Sequence, residues 1–247
     1  MIRKLALSET QKGISFSNGV LGGYMEISIL RVKISNEWVE RRDIPKIRGY
    51  IAGNNPHIIE LHNHLGDDKF NYGYPTVQYK SIDGEPYIIA LGDSSKKLLE
   101  AVYDLRSIDI GNREIVTKEK VFFVEKEEFG TAKDLITYKF LSPWMALNQE
   151  NYRVYMESEQ QGKNSILKKI LIGNVLSVSK MMNYIVEEEI KVFIKLNPLK
   201  VNFKNNEMLA FSGEFLINFK IPDFLGIGKS VSRGFGTVER IKGKEFA

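Results

Sequence analysis

The chain contains 247 residues, and its 35 Lys and Arg residues against 31 Asp and Glu residues give a formal net charge of +4. Hydrophobic residues make up 43% and charged residues 27%, which is typical of a globular protein and excludes a disordered or fibrous chain. Because Cys is absent, disulfides, thiolate zinc sites and cysteine nucleophiles are excluded, and a cytoplasmic location is favoured. The longest stretch without a charge, residues 13–25, is shorter than the ~20 apolar residues that cross a bilayer, so no membrane span is predicted.

The first half of the chain predicts the order strand, helix, strand, strand, helix, strand. Leu30, Val32 and Ile34 alternate with charged residues, as in a half-buried strand. A short helix is expected to begin after Asp43, a plausible cap, because proline is favoured in the first turn of a helix and Pro45 lies there. The dipeptide Asp83-Gly84 predicts a hairpin turn. The predicted segments are strand 26–34, helix 44–53, loop 54–73, strands 74–80 and 86–91, helix 94–105 and a strand that ends near residue 116.

The second half shows a similar order of patterns. Residues 136–140 alternate as a strand that is expected to stop at Ser142-Pro143. Apolar residues recur at spacings of three and four from about residue 163 to residue 184, which predicts a long helix. Alternation predicts antiparallel strands at residues 190–196 and 211–219. The expected fold class is therefore α+β, with an N-terminal extension at residues 1–24 and tandem ferredoxin-like βαββαβ domains at residues 25–119 and 120–247.

Residues 226–236, the glycine-rich segment near the end of the chain, give the strongest indication of a ligand-binding site. It holds four glycines and two cations, and no acid occurs between Asp223 and Glu239, so its backbone can approach phosphate closely. A nucleotide-triphosphate loop is excluded, because Asp223 stands where such a loop requires glycine. A surface turn is the alternative interpretation. The predicted contacts to a phosphate-rich ligand are Gly226, Gly228, Lys229, Ser230, Ser232, Arg233, Gly234 and Gly236.

Two further groups of basic residues suit a polyanionic partner. Tyrosines between residues 50 and 79 are interleaved with Lys and Arg, a mixture that can stack on bases and contact phosphates. Packing of these aromatic side chains in the hairpin is the alternative. In the long helix, no acid occurs between Glu159 and Glu187. The predicted phosphate contacts are Lys46, Arg48 and Lys69 in the first group and Lys168, Lys169 and Lys180 in the second.

All three histidines, His57, His62 and His64, lie close together in a segment predicted as loop. A catalytic zinc or dimetal centre needs further histidine ligands from later strands, which this chain does not contain, so no metal site is predicted. Metal-free acid–base catalysis is the functional interpretation, since imidazole, with an ordinary pKa of about 6.5, exchanges protons near neutral pH. Solvent-exposed histidines without a role are the alternative.

Residues 223–237 closely resemble the C-terminal glycine-rich signature of the RAMP superfamily of CRISPR-associated RNA-binding proteins. Within that superfamily, the chain resembles the Cas-six family of repeat-processing endoribonucleases, in the branch found with subtype I-B systems. Paired histidines follow the first helix in that branch. The resemblance extends from about residue 25 to the end of the chain. The other matching segments are residues 47–51, the His62/His64 pair, 70–80, 139–144, 147–152 and 172–177.

This resemblance implies tandem ferredoxin-like domains of the RAMP type and metal-independent cleavage of CRISPR repeat RNA without a cofactor. The 2′-OH before the scissile bond would attack its phosphate, which leaves a 2′,3′-cyclic phosphate and a 5′-OH. His62 and His64 are the implied acid–base pair, and Tyr72 is predicted as the third catalytic group, with Tyr50 or a lysine as the alternative. The implied partner is the repeat RNA, and the sequence leaves open whether the protein acts alone, as a homodimer or with other subunits of a CRISPR interference complex.

A non-catalytic RAMP-type subunit that holds a guide RNA is the second hypothesis. The histidine pair favours the enzyme, because a purely electrostatic RNA-binding protein does not need imidazole next to its basic groups. A cleavage assay on repeat RNA distinguishes the two hypotheses.

Overall fold

The computed structural model describes residues 19–21, 23–62 and 73–243, which form two compact units. The first unit contains residues 19–21, the described residues of Glu26–Glu127 and the short segment Ser232–Gly234. The second contains residues 23–25, 128–231 and 235–243. The chain thus passes between the units after Glu127, later than the predicted boundary at residues 119 and 120. In the part of the chain that the structure describes, no helix is long and apolar enough to span a membrane.

The first unit has the strand order of a ferredoxin-like fold. Its elements are β1 (Gly19–Leu21), β2 (Tyr24–Ile34), α1 (Ile44–Asn54), α2 (Ile59–His62), β3 (Val77–Ile82), β4 (Glu85–Leu91), α3 (Ser94–Val102), β5 (Ser107–Asp109), β6 (Glu114–Val116) and the beginning of β7 (Lys120–Trp144). The hydrogen-bonded strand order is β3-β4-β2-β7. Strand β4 therefore lies between β3 and β2.

Side chains alternate between the two faces of the sheet along each strand, and the face that carries the buried apolar residues packs against the helices. Leu30 pairs with Ala90, and Tyr79 pairs with Ile88, which places these residues on the same face. They form one buried core with the apolar residues of α1 and α3. The predicted hairpin between β3 and β4 is confirmed, and its turn residues Asp83 and Gly84 have φ of 51° and 81°, as a two-residue hairpin turn requires.

The second unit repeats this topology. It contains the rest of β7, α4 (Gln149–Glu157), α5 (Gln160–Met181), β8 (Val192–Phe203), β9 (Asn206–Lys220) and β10 (Val238–Arg240). Its strand order is β8-β9-β7-β10, the same arrangement as in the first unit. Leu167, Leu171, Val175 and Val178 form the buried stripe of α5. The predicted α+β fold with tandem ferredoxin-like halves is therefore confirmed, although residues 221–237 replace the second helix of this unit with the glycine-rich segment.

Two sequence-based assignments in the first half were wrong. Residues 59–62 form the short helix α2, with Leu61 buried, whereas a loop was predicted there. Among residues 59–62 only Leu61 is buried, so no helical period is apparent there. The predicted strand near residue 116 belongs to a separate two-stranded hairpin, β5-β6. Its buried residues Ile108 and Ile115 give the same sequence pattern as a strand of the main sheet. The fourth strand of that sheet is the beginning of β7.

Two assignments in the second half were also wrong. Strand β7 continues through Ser142-Pro143, because Pro143 lies at a register shift between Phe140 and Trp144, where the ladder does not need its missing N–H. Helix α4 was not predicted, since Tyr155 is its only buried residue and no apolar stripe exists. Its beginning is fixed by Asn148, whose side chain accepts a hydrogen bond from the Asn151 N–H at 2.7 Å.

Candidate functional site

His62 is the described member of the predicted catalytic pair, and helix α1 holds it at two points. Its ring Nε2 lies 3.1 Å from the backbone carbonyl O of Asn55, which directly follows α1. The backbone carbonyl of His62 accepts a hydrogen bond from Nη2 of Arg48, which lies on α1 two turns before Asn55. The imidazole itself is half-buried. Both the backbone and the ring of His62 are therefore oriented by α1.

The contact with Asn55 fixes the tautomer of His62. A backbone carbonyl only accepts hydrogen bonds, so Nε2 must carry the proton and donate it. In the neutral imidazole, Nδ1 is then the atom with a free lone pair. Nδ1 makes no hydrogen bond to any residue that the structure describes. His62 can therefore accept a proton at Nδ1 while Nε2 remains bound.

Arg48 lies beside a second guanidinium, that of Arg233. The segment Ser232–Gly234 reaches the first unit through a parallel bridge between Tyr79 and Arg233. Burial lowers the pKa of Arg48, and the charge of Arg233 lowers it further. The Tyr79 hydroxyl is buried without a hydrogen-bond partner among the described residues, and it interacts electrostatically with Arg48. The first unit thus concentrates two cations next to the helix that carries His62.

In the second unit, the glycine-rich segment packs on residues from two other matching segments. Gly228, with φ of 94°, lies so close to Trp144 that an added Cβ would be 2.6 Å from the indole Nε1. That Nε1 donates to Oδ1 of Asn174 on α5 at 3.1 Å. Gly236, with φ of 62°, lies directly against the backbone of Ile227. Glycine is required at both positions because of this close packing.

Among the predicted phosphate contacts of this segment, the side chains that reach the surface are those of Lys229, Ser230 and Arg233. Gly226, Ser232, Gly234 and Gly236 are buried. The Lys229 amine donates to the carbonyl of Leu147 at 2.7 Å, and partial burial lowers its pKa. An ammonium group has three donors, so two remain for a ligand.

The other predicted basic residues differ in their surroundings. Lys46 is exposed, and its amine lies 3.6 Å from Asp43 Oδ1 and 3.3 Å from Asn112 Oδ1. On α5, the Lys168 amine lies 5.4 Å from the centre of the Phe193 ring, a cation–π contact. Lys169 and Lys180 are exposed on the same helix.

Three predicted site residues, His64, Lys69 and Tyr72, lie outside the described residues. The structure does describe the third histidine, His57, whose Nε2 is 3.3 Å from Glu100 Oε1 on α3 and which is well exposed. Within residues 23–62 and 73–243, no group of three or more His, Asp or Glu side chains is placed to hold a metal ion.

Sequence reasoning missed three contacts at these sites. The Asn55 carbonyl is a backbone group, and no residue type indicates such a contact. Tyr79 was expected to pack in the hairpin or stack on a base, and its burial beside Arg48 could not be read from alternation. Trp144 and Asn174 were quoted in matching segments, but their contact joins residues thirty positions apart.

A tandem ferredoxin-like fold with a glycine-rich segment before its last strand is the architecture of the RAMP class. Sequence models of the Cas6b N-terminal domain and the Cas6b C-terminal domain match residues 25–128 and 130–241. The chain therefore belongs to the Cas6b family.

Two solved structures agree with this assignment, and one curated protein is similar in sequence. A crystal structure of Cas6b is 40% identical, with a TM-score of 0.84, over 88% of this chain and 100% of the other. A crystal structure of the CRISPR RNA processing endoribonuclease Cas6b is 37% identical, with a TM-score of 0.73 and the same coverage. An uncharacterized protein of Methanocaldococcus jannaschii is 50% identical over 120 residues, which are 48% of this chain and 82% of that protein.

Proposed function

We propose that this chain is an endoribonuclease that cleaves CRISPR precursor RNA within its repeats and so produces guide RNAs. The observation that carries the proposal is the arrangement of His62, whose Nε2 is bound to the Asn55 carbonyl and whose Nδ1 is left to accept a proton. A protein described as a CRISPR RNA processing endoribonuclease is 37% identical in sequence to this chain. A protein that only binds RNA does not require a histidine held in one tautomer.

The proposed reaction uses the 2′-OH of the RNA as the nucleophile. Its oxygen forms a bond to the adjacent phosphorus while the bond from phosphorus to the 5′-oxygen breaks. One histidine of the His62/His64 pair removes the 2′-OH proton, and the other, or Tyr72, protonates the leaving 5′-oxygen. The products are a 2′,3′-cyclic phosphate and a 5′-OH end. No metal ion or other cofactor is needed, because the nucleophile belongs to the substrate and the protein supplies geometry and charge.

Each unit has its own cations for the RNA backbone. In the first unit, we assign phosphate contacts to Arg48 and Arg233, because neighbouring guanidinium groups favour an anion between or beside them. In the second unit, Lys229 and Ser230 are the surface side chains of the glycine-rich segment. Lys169 and Lys180 extend the basic surface along α5, and Lys46, Lys69 and Lys168 remain proposed contacts.

Incubation of the protein with repeat RNA in excess EDTA tests the proposal. We expect one cut within the repeat, at a rate unchanged by EDTA, and products that carry a 2′,3′-cyclic phosphate and a 5′-OH. These ends are identified by mass spectrometry of the fragments. Binding without cleavage would instead indicate the non-catalytic guide-RNA subunit, and loss of cleavage in EDTA would contradict the metal-independent mechanism.

A further inference from the structure

The two tryptophans of the chain differ sharply in their surroundings. Trp144 is fully buried, whereas Trp38 of the first unit is 68% exposed. The six-membered ring of Trp38 nevertheless packs on Gly84 in the turn between β3 and β4, so closely that an added Cβ would lie 2.2 Å from Cζ3 of the indole. Only glycine fits against the ring at this position. The indole is therefore supported by backbone while most of its surface stays open to solvent.

The backbone around Trp38 is held by several hydrogen bonds. The Val39 N–H donates to the Gly84 carbonyl at 2.6 Å, and Oγ of Ser81 donates to the Val39 carbonyl at 2.7 Å. Nη2 of Arg113, in the turn between β5 and β6, donates to the Trp38 carbonyl. These contacts fix an exposed aromatic ring in place before any ligand binds, which lowers the conformational entropy that a ligand must remove.

A surface cavity of about 630 Å³ opens beside the indole, a size common for ligand sites. Trp38 lines it together with charged residues of both signs, which are Arg42, Lys46, Arg113, Glu40 and Asp43. Arg42 is bound to Glu40 at 2.9 Å. The contacts of the Lys46 amine with described residues are longer, at 3.6 Å from Asp43 Oδ1 and 3.3 Å from Asn112 Oδ1. Because such an exposed ion pair contributes little to stability, a phosphate can replace it at Lys46.

Helix α1 connects this cavity to the candidate catalytic histidine. Lys46 lies in the first turn of α1, and Asn55, whose carbonyl O holds His62, directly follows the last residue of that helix. At 1.5 Å per residue, Lys46 and Asn55 lie ~13 Å apart along the helix axis. A few nucleotides of an extended single strand can cover that distance. One RNA strand along α1 can therefore reach both the cavity and His62.

We propose that Trp38 stacks on one unpaired base of the bound RNA, and that Lys46 contacts a phosphate next to that base. A base has a free face for an indole only where it is not stacked inside a duplex, so the site selects single-stranded RNA. Stacking accepts any base, because every base has a π-face. The choice of RNA as the ligand rests on the proposed function, whereas the supported, exposed indole beside a cation is a feature of the RNA-free protein.

Tryptophan fluorescence reports on this contact directly, because a base stacked on an exposed indole quenches its emission. The probe is repeat RNA with a single 2′-deoxy substitution immediately 5′ of the cut, so that cleavage does not interfere. We expect emission of the wild type to fall as this RNA is added and to reach a plateau at saturation. Trp38→Phe retains a ring on Gly84 and leaves Trp144 as the fluorophore, so the difference between the two titrations is the signal of Trp38.

Affinity and its salt dependence separate stacking from phosphate binding. Trp38→Ala should weaken binding of the same RNA by ~5- to 10²-fold, the effect of removing one stacked base. The slope of log affinity against log salt should not change, because stacking releases no counterions. Lys46→Ala should instead lower that slope by about one. The matched control is Tyr152→Ala, which removes an exposed aromatic ring from α4 of the second unit and should change neither quantity.

Unchanged Trp38 emission at saturating RNA would overturn the proposal, as would an affinity loss in Tyr152→Ala equal to that in Trp38→Ala. If Trp38→Ala does not fold, the fluorescence titrations of the wild type and Trp38→Phe still decide. A wild type that binds the RNA with quenching but does not cleave unmodified repeat RNA would contradict the proposed function and support the stacking site. Cleavage of the repeat without quenching would support the function and overturn the stacking site.

Discussion

The double substitution of His62 and His64 by alanine is expected to lower the single-turnover cleavage rate by at least ~10²- to 10⁴-fold, the contribution of a positioned acid or base. RNA affinity should remain nearly unchanged, because imidazole contributes little to phosphate binding beside Lys and Arg. Cleavage of labelled repeat RNA and a filter-binding titration measure the two quantities.

The matched control for this experiment is His57→Ala. His57 is exposed and contacts Glu100 on α3, so its removal should change neither rate nor affinity. A double variant that cleaves at the wild-type rate would remove both histidines from the mechanism. Loss of rate accompanied by an equal loss of affinity would indicate that they bind RNA rather than transfer protons.

A second large effect is expected from Gly236→Ala, and it concerns stability. The added Cβ would lie 1.9 Å from the Ile227 carbonyl O, far inside van der Waals contact, and the backbone φ is 62°. We expect a loss of more than ~3 kcal/mol in the free energy of unfolding, because the clash forces a backbone shift on top of the conformational strain. Thermal unfolding should show a melting temperature at least ~6 °C lower, on the basis of about 2–4 °C per kcal/mol for a chain of this size.

Gly111→Ala isolates the backbone part of this cost. Gly111 has φ of 88° and no atom within 4 Å of an added Cβ, so only the left-handed conformation is penalised, at ~1–2 kcal/mol. Equal melting temperatures for the two variants would mean that the contact with Ile227 is readily relieved.

Gly49→Ala, on the exposed side of α1 with open space around its Cβ, should stabilise the protein by up to ~1 kcal/mol.

Substitution of glycines in the glycine-rich segment is expected to harm the protein through lost packing as well as through lost phosphate contact. Gly228 and Gly236 pack against Trp144 and Ile227, so their substitution should first disturb the second unit. Gly234 has more space, since an added Cβ would be 3.4 Å from Ile44 and from the Tyr79 carbonyl. A glycine needed for packing and a glycine needed for phosphate approach look the same in a sequence.

Most of the fold could be predicted, because its long strands and helices show clear periods. Alternation identified β2, β8 and β9, the spacing of buried residues identified α5, and Asp83-Gly84 identified the hairpin. The elements that were missed have little apolar signal: α2 has one buried residue, Leu61, and α4 has one, Tyr155. Their positions depend on tertiary contacts that no local pattern encodes.

The sequence indicates which types of residue form the candidate site, but it does not show how they are arranged in space. Histidines in a chain without Cys, together with a glycine-rich basic segment, indicated acid–base chemistry on a phosphate-rich partner. The tautomer of His62 depends on a backbone carbonyl, and the proximity of Arg48 and Arg233 depends on a bridge to β3. Such contacts between distant parts of the chain appear only after folding.

A single 2′-deoxy substitution in the repeat RNA, immediately 5′ of the cut, tests the proposed chemistry most directly. The internal nucleophile is then absent, while the backbone phosphates that Lys and Arg contact are all present. We predict that the protein binds this RNA with the affinity of the unmodified repeat and does not cleave it, in the presence or absence of EDTA. Cleavage of the deoxy substrate at the normal rate would contradict attack by the 2′-OH and would require a nucleophile from water.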